Sequence, residues 1–426
     1  MVVGELAEHV DLLVVGGGPG GYTAALRAAE LGREVTLVER GGRAALGGAC
    51  LHVGCIPSKA LVELASTLHR ARTHPGLVVE GRADLARFQA AKRELIERLA
   101  GGVAQQLERA GARVIQGEAR FSRADRVAVR TPEEEVLFFE FEHAILATGS
   151  RPAPPAGVPF DGERVLSTTD ALALETLPDA MTIDGAGYIG VELATAFAKL
   201  GVRVTLAGPV LADFDERLVR PVRRRLEQLG VELRSGRPEA AGDVLVATGR
   251  RPNTEGLVGV GPDGFIHVGA DRRATPFVAA IGDIVAGPAL AHRATAEAAV
   301  AVDALCGRAP DLTPALVPRV VFSDPEIASV GLTEAEAKAA GLDAYGRAVP
   351  LAASGRAATL HERQGHARVV VDRATDRVVG VHVAAPYASE LAGEAALAIE
   401  MVASPADLAA IVHPHPTLSE AVGAAA

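Results

Sequence analysis

"LLVVGGGPGGYTAALRAAELGREVTLVE" spans residues 12 to 39, "MTIDGAGYIGVELATAFAKLGVRVTLAG" spans residues 181 to 208, and the two align without a gap. Each opens on a short apolar run, turns through glycines into an amphipathic stretch ending at Leu-Gly, and closes on a second apolar run. That is the pattern of a βαβ unit, with GxGxxG at the first turn of both copies: Gly16, Gly18 and Gly21, then Gly185, Gly187 and Gly190. The glycines allow a tight turn, close approach of a pyrophosphate and close packing of helix on strand, while the helix N-terminus faces the phosphates. In the first copy Glu39 ends the second strand, where a carboxylate can accept from ribose hydroxyls. A plain glycine turn would not require that acid. In the second copy the same place is Gly208, after Ala207, and neither a carboxylate for a 2′-hydroxyl nor a nearby arginine for a 2′-phosphate is evident. Two nucleotide-binding units are expected, and for the second a nucleotide fold that binds poorly or no longer binds stands as the alternative.

At 426 residues the chain has room for about three domains of ~150 residues. The fold class expected is α/β, with two Rossmann-like nucleotide-binding domains, the second shortened, and a C-terminal α+β domain. The boundaries expected are 1–150 for the first part of the first nucleotide domain, 151–265 for the second domain, 266–317 for the return to the first, and 318–426 for the last. Residues 62 to 112 read as one or two long helices, and residues 113 to 150 as strands ending in "ILATGS", an ending repeated in "VLVATGRRPN". "FVAAIGD" leads into an Ala-rich helix around 290 to 305, and beyond Pro318 strand-like stretches alternate with helices at 333–340 and 388–402.

Composition narrows the function. An apolar content of 49% with 23% charged residues reads as globular rather than disordered. A net charge of −10 and the absence of Trp leave no basic or aromatic footprint for nucleic acid or an anionic membrane. No apolar run approaches the ~20 residues that span a bilayer, and the N-terminal stretch lacks the basic region of a secretory signal. Three cysteines make no disulfide scaffold, so the expected compartment is a reducing cytoplasm.

"CLHVGCIPSKAL", residues 50 to 61, holds two of those cysteines five positions apart. A structural zinc needs about four ligands, and no second cysteine pair is present, so no metal site is expected. Spacing alone leaves a metal site, a buried reduced pair and a redox pair open, with the redox pair favoured. Pro57 suits the first turn of a helix through "SKALVELASTLHRA", whose N-terminal dipole would favour a thiolate at Cys55. Cys306, alone on an apolar helix, reads as core packing. Near the C-terminus, "IVHPHPTLSE" offers a histidine that could take a proton from a dithiol and Glu420 to orient its ring. Thr417 and Glu420 equally match a capping box opening the last helix.

Taken together, these residues resemble the two-cysteine flavoprotein disulfide reductases, and among them most of all the dihydrolipoamide dehydrogenases. The resemblance covers nearly the whole chain through "VVGGGPGGY", "LGGACLHVGCIPSKAL", "ATGSRP", "GAGYIGVELA", "ATGRRPNT", "AIGD", "VVFSDPEIASVGLTE" and "HPHPTLSE". It implies FAD in the first domain, NAD(H) in the second and a C-terminal dimerisation domain. It places Gly16, Gly18, Gly21, Glu39, Gly48, Ala119, Thr148, Gly149, Asp283 and Ala291 at the FAD, and Gly185, Gly187, Gly190 and Gly249 at the NAD. Cys50 would exchange with substrate, Cys55 would face the flavin as a thiolate, and Lys59 paired with Glu192 would approach flavin N5. His415, supported by Glu420, would be the acid–base and would serve the disulfide of the other subunit of a homodimer. The implied partners are dihydrolipoamide or another small dithiol or disulfide, and a 2-oxo acid dehydrogenase complex. Other readings are a reductase of another small disulfide or of mercuric ion, and a flavoprotein component of a complex without turnover.

The chain departs from that pattern mainly in the second nucleotide domain. Ala207 and Gly208 stand at the expected acidic strand end, the loop "GPVLADFDERL" is short, and only "VELRSGRPEAAGD" leads to the strand "VLVATGR". "TPFVAAIGD" also reads as abbreviated, and Ala49 and His52 replace the usual Thr and Asn near the cysteines. Reduced or redirected affinity for pyridine nucleotide is therefore expected.

Overall fold

The computed structural model describes residues 6–155, 157–236, 243–310 and 316–426. Its first sheet is built on the first βαβ unit. Strand Glu8–Val15 pairs in parallel with Val35–Glu39 and with the late part of Val136–Leu146, and Pro19–Glu30 is the intervening helix. The 11-residue strand Val136–Leu146 changes partners along its length within this one sheet. Its first half pairs antiparallel with Arg126–Arg130, and its last three residues pair in parallel with Val278–Ala280. A segment far along the chain thus returns to the first sheet and delivers Asp283, in the short turn Gly282–Ile284, beside the first glycine turn.

The second βαβ unit makes its own parallel sheet, in the order Glu232–Arg234, Arg203–Ala207, Ala180–Asp184, Val244–Val246, Val165–Leu166. Part of the short connection noted above, residues 237–242, lies outside the described residues. The third sheet is antiparallel, in the order Arg319–Val321, Glu326–Gly331, Arg377–Ala385, His366–Asp372, Ala344–Pro350, and Ala388–Glu400 packs across it. No helix among the described residues is long and apolar enough to cross a membrane.

The two glycine turns repeat each other closely. Gly16 N donates to Val38 O at 2.8 Å, and Gly185 N donates to Ala207 O at 3.0 Å. Gly16 (φ +102°) lies against the Ala147–Thr148 backbone, and Gly185 (φ +110°) lies against the Ala247–Thr248 backbone. The two "ATG" segments therefore brace the two turns. They also cross over: Ser150–Pro152 and Arg250–Pro252 form a two-stranded antiparallel ribbon that ties one unit to the other.

Packing continues across these units. One buried cluster holds Leu61 and Ala65 from the helix after the cysteines, Phe197 and Leu206 from the second βαβ unit, and Val321 and Ile327 from the antiparallel sheet. Since apolar burial stabilises roughly in proportion to area removed from water, the second unit gains part of its core only by docking.

The third glycine of each motif gives a direct check. A Cβ on Gly190 would fall inside the contact distance of the Gly185 carbonyl oxygen, whereas a Cβ on Gly187 meets open space. Gly190→Ala should lower stability by ~1–3 kcal/mol through overpacking, while Gly187→Ala should leave it nearly unchanged, as read from thermal or urea unfolding of the two variants.

Candidate active site

Cys50 sits in a six-residue helix, Gly48–Val53, that starts from Gly47 at φ +95°. Gly54 breaks that helix, and Cys55 opens the 19-residue helix Cys55–Thr73. Two short turns in series thus bring the two sulfurs together as half-buried free thiols within hydrogen-bonding reach. The pair is electrically asymmetric. The hydrogen bond from the Cys50 thiol, with the Lys59 charge and the Cys55 backbone N–H, pulls Cys55 down to about 7 against the effect of burial. Sharing that bond, together with burial and the neighbouring negative charge, pushes Cys50 well above the usual thiol range. One thiolate, at Cys55, is what this geometry stabilises.

Lys59 lies one helical turn beyond Cys55. Its Nζ donates to Glu192 Oε2 at 2.7 Å, and Glu192 Oε1 accepts from the Phe322 backbone N–H at 3.0 Å. Lys59 Nζ also stands 4.5 Å from the centre of the Phe322 ring. Glu192 is only 2% exposed, so both of its oxygens are satisfied inside the protein.

A cavity of about 720 Å³ runs from the first glycine turn to the cysteines, within the usual size range of cofactor sites. Nine of the ten positions expected at FAD line it: Gly16, Gly18, Glu39, Gly48 and Ala119 towards one group of elements, and Thr148, Gly149, Asp283 and Ala291 around the rest. Gly21 does not. A Cβ there would strike the Gly16 carbonyl, so its role is to let helix and strand pack closely. Cys50, Cys55, Lys59 and Glu192 line the same cavity.

The walls suit a dinucleotide. Helix Pro19–Glu30 begins at Gly18 with no side-chain cap, so its first N–H groups are free for phosphate oxygens. Gly48, at φ +57°, comes so close to Gly18 that a Cβ on it would stand 2.7 Å from the Gly18 Cα, leaving a cradle bounded by backbone alone. Glu39 accepts from Gly17 N at 2.6 Å and from Gly41 N at 3.3 Å, which fixes its carboxylate at the ribose end. These residues fit FAD.

The glycines of the second unit do not line this cavity. Gly185, Gly187, Gly190 and Gly249 are absent from its lining, although Tyr188, Ile189, Glu192 and Leu193 of the helix between reach it. Gly249 follows the Ala247–Thr248 backbone that braces Gly185, and its carbonyl accepts from Ala153 N at 3.2 Å.

His415 is also absent from the lining, with its side chain 80% exposed. Its Nδ1 meets Glu420 Oε1 at 2.8 Å, and Glu420 Oε2 accepts from Thr417 N at 2.7 Å. The alternative reading, a capping box, is therefore only half present. Thr417 Oγ1 donates to Pro414 O instead of capping, and the helix Glu420–Ala425 starts at Ser419. One carboxylate thus orients the imidazole and ties down the turn that carries it. The neighbouring His413 is half-buried, with Nε2 2.8 Å from Glu394 Oε1.

A family model described as pyridine nucleotide-disulphide oxidoreductase matches residues 10–298, and that family's dimerisation domain matches residues 317–426. The chain belongs to this family. A curated relative, dihydrolipoyl dehydrogenase 2 of Haloarcula marismortui, is 41% identical over 466 aligned positions covering 100% of this chain and 98% of the relative. That alignment is longer than the 426-residue chain, so the relative carries segments this one lacks. The dihydrolipoyl dehydrogenase of Geobacillus stearothermophilus is 40% identical, covering 99% of this chain and 96% of the relative. Among solved structures, LpdA from Mycobacterium tuberculosis superposes with a TM-score of 0.89 at 27% identity, covering 98% of this chain and 99% of that one.

Within this oxidoreductase, sequence reading missed the group that holds Asp283. Ser150 Oγ donates to Asp283 Oδ2 at 2.5 Å, and Arg250 donates through Nε to Ser150 Oγ and through a terminal nitrogen to Ser150 O, both at 2.7 Å. The repeated "ATGS" and "ATGR" endings were the available signal, because they supply both residues. Tyr188, whose phenol burial pushes up to about 12, is a further wall residue that sequence reading did not single out. Asp11, Glu142 and His143 also converge, but the Arg33 guanidinium lies among them, paired with Asp11 and 3.1 Å from His143 Nδ1.

Charge accounts for the thiolate, so it can be moved. In the dithiol form of the protein, Lys59→Met removes a cation that lowers the Cys55 pKa and should raise the ionisation of Cys55 above about 7. Glu192→Gln removes an anion that raises it and should shift it the other way. Ultraviolet thiolate absorbance followed across neutral pH reads both shifts, and equal titrations in the two variants would refute this account of the site.

Proposed function

We propose that the chain is an FAD-dependent dihydrolipoyl dehydrogenase that oxidises dihydrolipoamide through a Cys50–Cys55 disulfide, with NAD+ as final acceptor. The single observation that carries this is the asymmetric thiol pair beside Lys59 in the wall of a cavity built for a dinucleotide. Relatives named dihydrolipoyl dehydrogenase at about 40% identity support the choice of dithiol. The reading assigns residues 1–150 and 266–317 to the FAD domain, 151–265 to the NAD domain and 318–426 to dimerisation.

In this mechanism a substrate thiol loses its proton to His415 Nε2, the ring nitrogen left free by the bond from Nδ1 to Glu420. The resulting thiolate attacks the Cys50 sulfur of the disulfide, forming a mixed disulfide and releasing Cys55 as the thiolate its surroundings favour. The second substrate thiol then attacks the substrate sulfur of that mixed disulfide. Cys50 leaves and takes up the proton held by His415, His415 takes the proton of the attacking second thiol and passes it to solvent, and lipoamide departs oxidised by two electrons. Bound FAD would supply the two-electron acceptor beside Cys55 and relay the electrons to NAD+. Gly16, Gly18, Glu39, Gly48 and Asp283 would hold it, and Lys59 with Glu192 would set the charge between it and Cys55. Because His415 is exposed and lies away from this cavity, it would serve the cysteines of a second copy, making a homodimer the active unit. A docking partner such as a 2-oxo acid dehydrogenase core fits the same substrate chemistry.

Dihydrolipoamide-dependent reduction of NAD+ tests the reading. Cys50→Ser should abolish turnover, and His415→Gln should lower kcat by about 10²–10⁴. Mixed dimers with Cys50→Ser in one subunit and His415→Gln in the other should recover activity from the one site left with both groups. No turnover by the wild-type protein would reject the function, and no recovery in mixed dimers would reject the shared site.

A further inference from the structure

The two βαβ units superpose in their glycine turns but differ where the second strand ends. In the first unit the Glu39 carboxylate closes back on Gly17 N at 2.6 Å. In the second the same place is Gly208, at φ +112° with its N–H on Arg234 O at 2.9 Å, a backbone conformation that disfavours any side chain. The first four residues of the loop that follows do not restore the acid, and the exposed Asp213 comes only after them. Pro209, Val210, Leu211 and Ala212 carry no charge. Leu211 is 2% exposed and donates its N–H to Ala186 O at 2.8 Å, which folds the loop onto the turn. Asp215, further on, accepts from Arg217 N at 2.8 Å as the cap of helix Glu216–Gln228. On the other flank, Arg234 is the register partner of Ala207 in the edge strand, and it neutralises Glu232, whose carboxylate also accepts from Thr205.

A carboxylate at this strand end accepts from the 2′-hydroxyl of NAD and repels a 2′-phosphate, whereas an arginine nearby accommodates the phosphate. We propose that this second site does not exclude a 2′-phosphate and takes NADP(H) as well as NAD(H), with Arg234 as the cation available to the phosphate. The inference rests on the second unit being the acceptor site of the proposed reaction.

Calorimetric titration of the oxidised holoenzyme with NAD+, NADP+, 5′-AMP and 2′,5′-ADP tests it. NADP+ should bind within about ten-fold of NAD+, and 2′,5′-ADP no more weakly than 5′-AMP. Arg234→Glu should weaken NADP+ at least about ten-fold more than NAD+, while Arg234→Lys should keep the wild-type ratio. NADP+ more than ten-fold weaker than NAD+, binding of neither, or an Arg234→Glu effect equal on both overturns the inference. A protein that oxidises dihydrolipoamide with NAD+ yet rejects NADP+ keeps the proposed reaction and loses this inference. One that binds both nucleotides but leaves dihydrolipoamide untouched does the reverse.

Discussion

Glu192 brings a carboxylate to a point where three parts of the chain meet, and nearly everything around the cysteines depends on its being neutralised there. A carboxylate 2% exposed costs several kcal/mol to desolvate unless both oxygens find partners. Lys59 supplies one from the helix that begins at Cys55, and the Phe322 N–H supplies the other from the start of the antiparallel sheet. The three layers must dock before the charge is satisfied. Once they dock, the ammonium held by Glu192 is also the cation that favours a thiolate at Cys55. A second ionic group repeats the logic nearby. Lys199 bonds Asp324 at 2.8 Å and Ser66 at 3.2 Å, and Arg225 lies between Asp324 and Glu362. Burial pushes Asp324 up, but Lys199 and Arg225 outweigh it and keep the carboxyl below its usual range.

The duplicated βαβ unit shows how one backbone solution serves two purposes. Hydrogen bonds from the first glycine to the neighbouring strand match within a few tenths of an ångström, and the third glycine is forced in both copies by the same carbonyl contact. What differs is what each turn faces. The first opens onto a cavity that ends at the cysteines, while the second meets a short loop pulled down by Leu211. The ribbon of Ser150–Pro152 with Arg250–Pro252 couples them, and through it Arg250 of the second unit helps to hold Asp283 of the first.

Features set by local chemistry were legible in the sequence. The glycine spacing, Glu39 at its strand end, the cysteine spacing and Pro57 in the first helical turn all act through neighbours a few residues away, and each stands where that reading puts it. Motif resemblance reached further, to Lys59 with Glu192 and His415 with Glu420, pairs that the fold brings together at 2.7 Å and 2.8 Å. What escaped were contacts that exist only after docking: the Phe322 N–H on Glu192, and the Ser150–Arg250 clasp on Asp283, in which Ser150 lies 100 or more residues from each of its two partners. Gly21, which the resemblance placed at the FAD, takes the packing role that the motif also requires of a glycine. The alternative capping box is met only through the Thr417 N–H on Glu420, because the Thr417 hydroxyl donates to Pro414 O.

The account stands on the two thiols being unequal before any substrate or cofactor chemistry begins. Proton titration of the reduced wild-type protein, followed by thiolate absorbance, measures that inequality directly. One thiolate per chain should form near pH 7, assigned to Cys55, with the Cys50 thiol still protonated far into the alkaline range. Two thiols ionising together near the ordinary value of about 8.5 would contradict it.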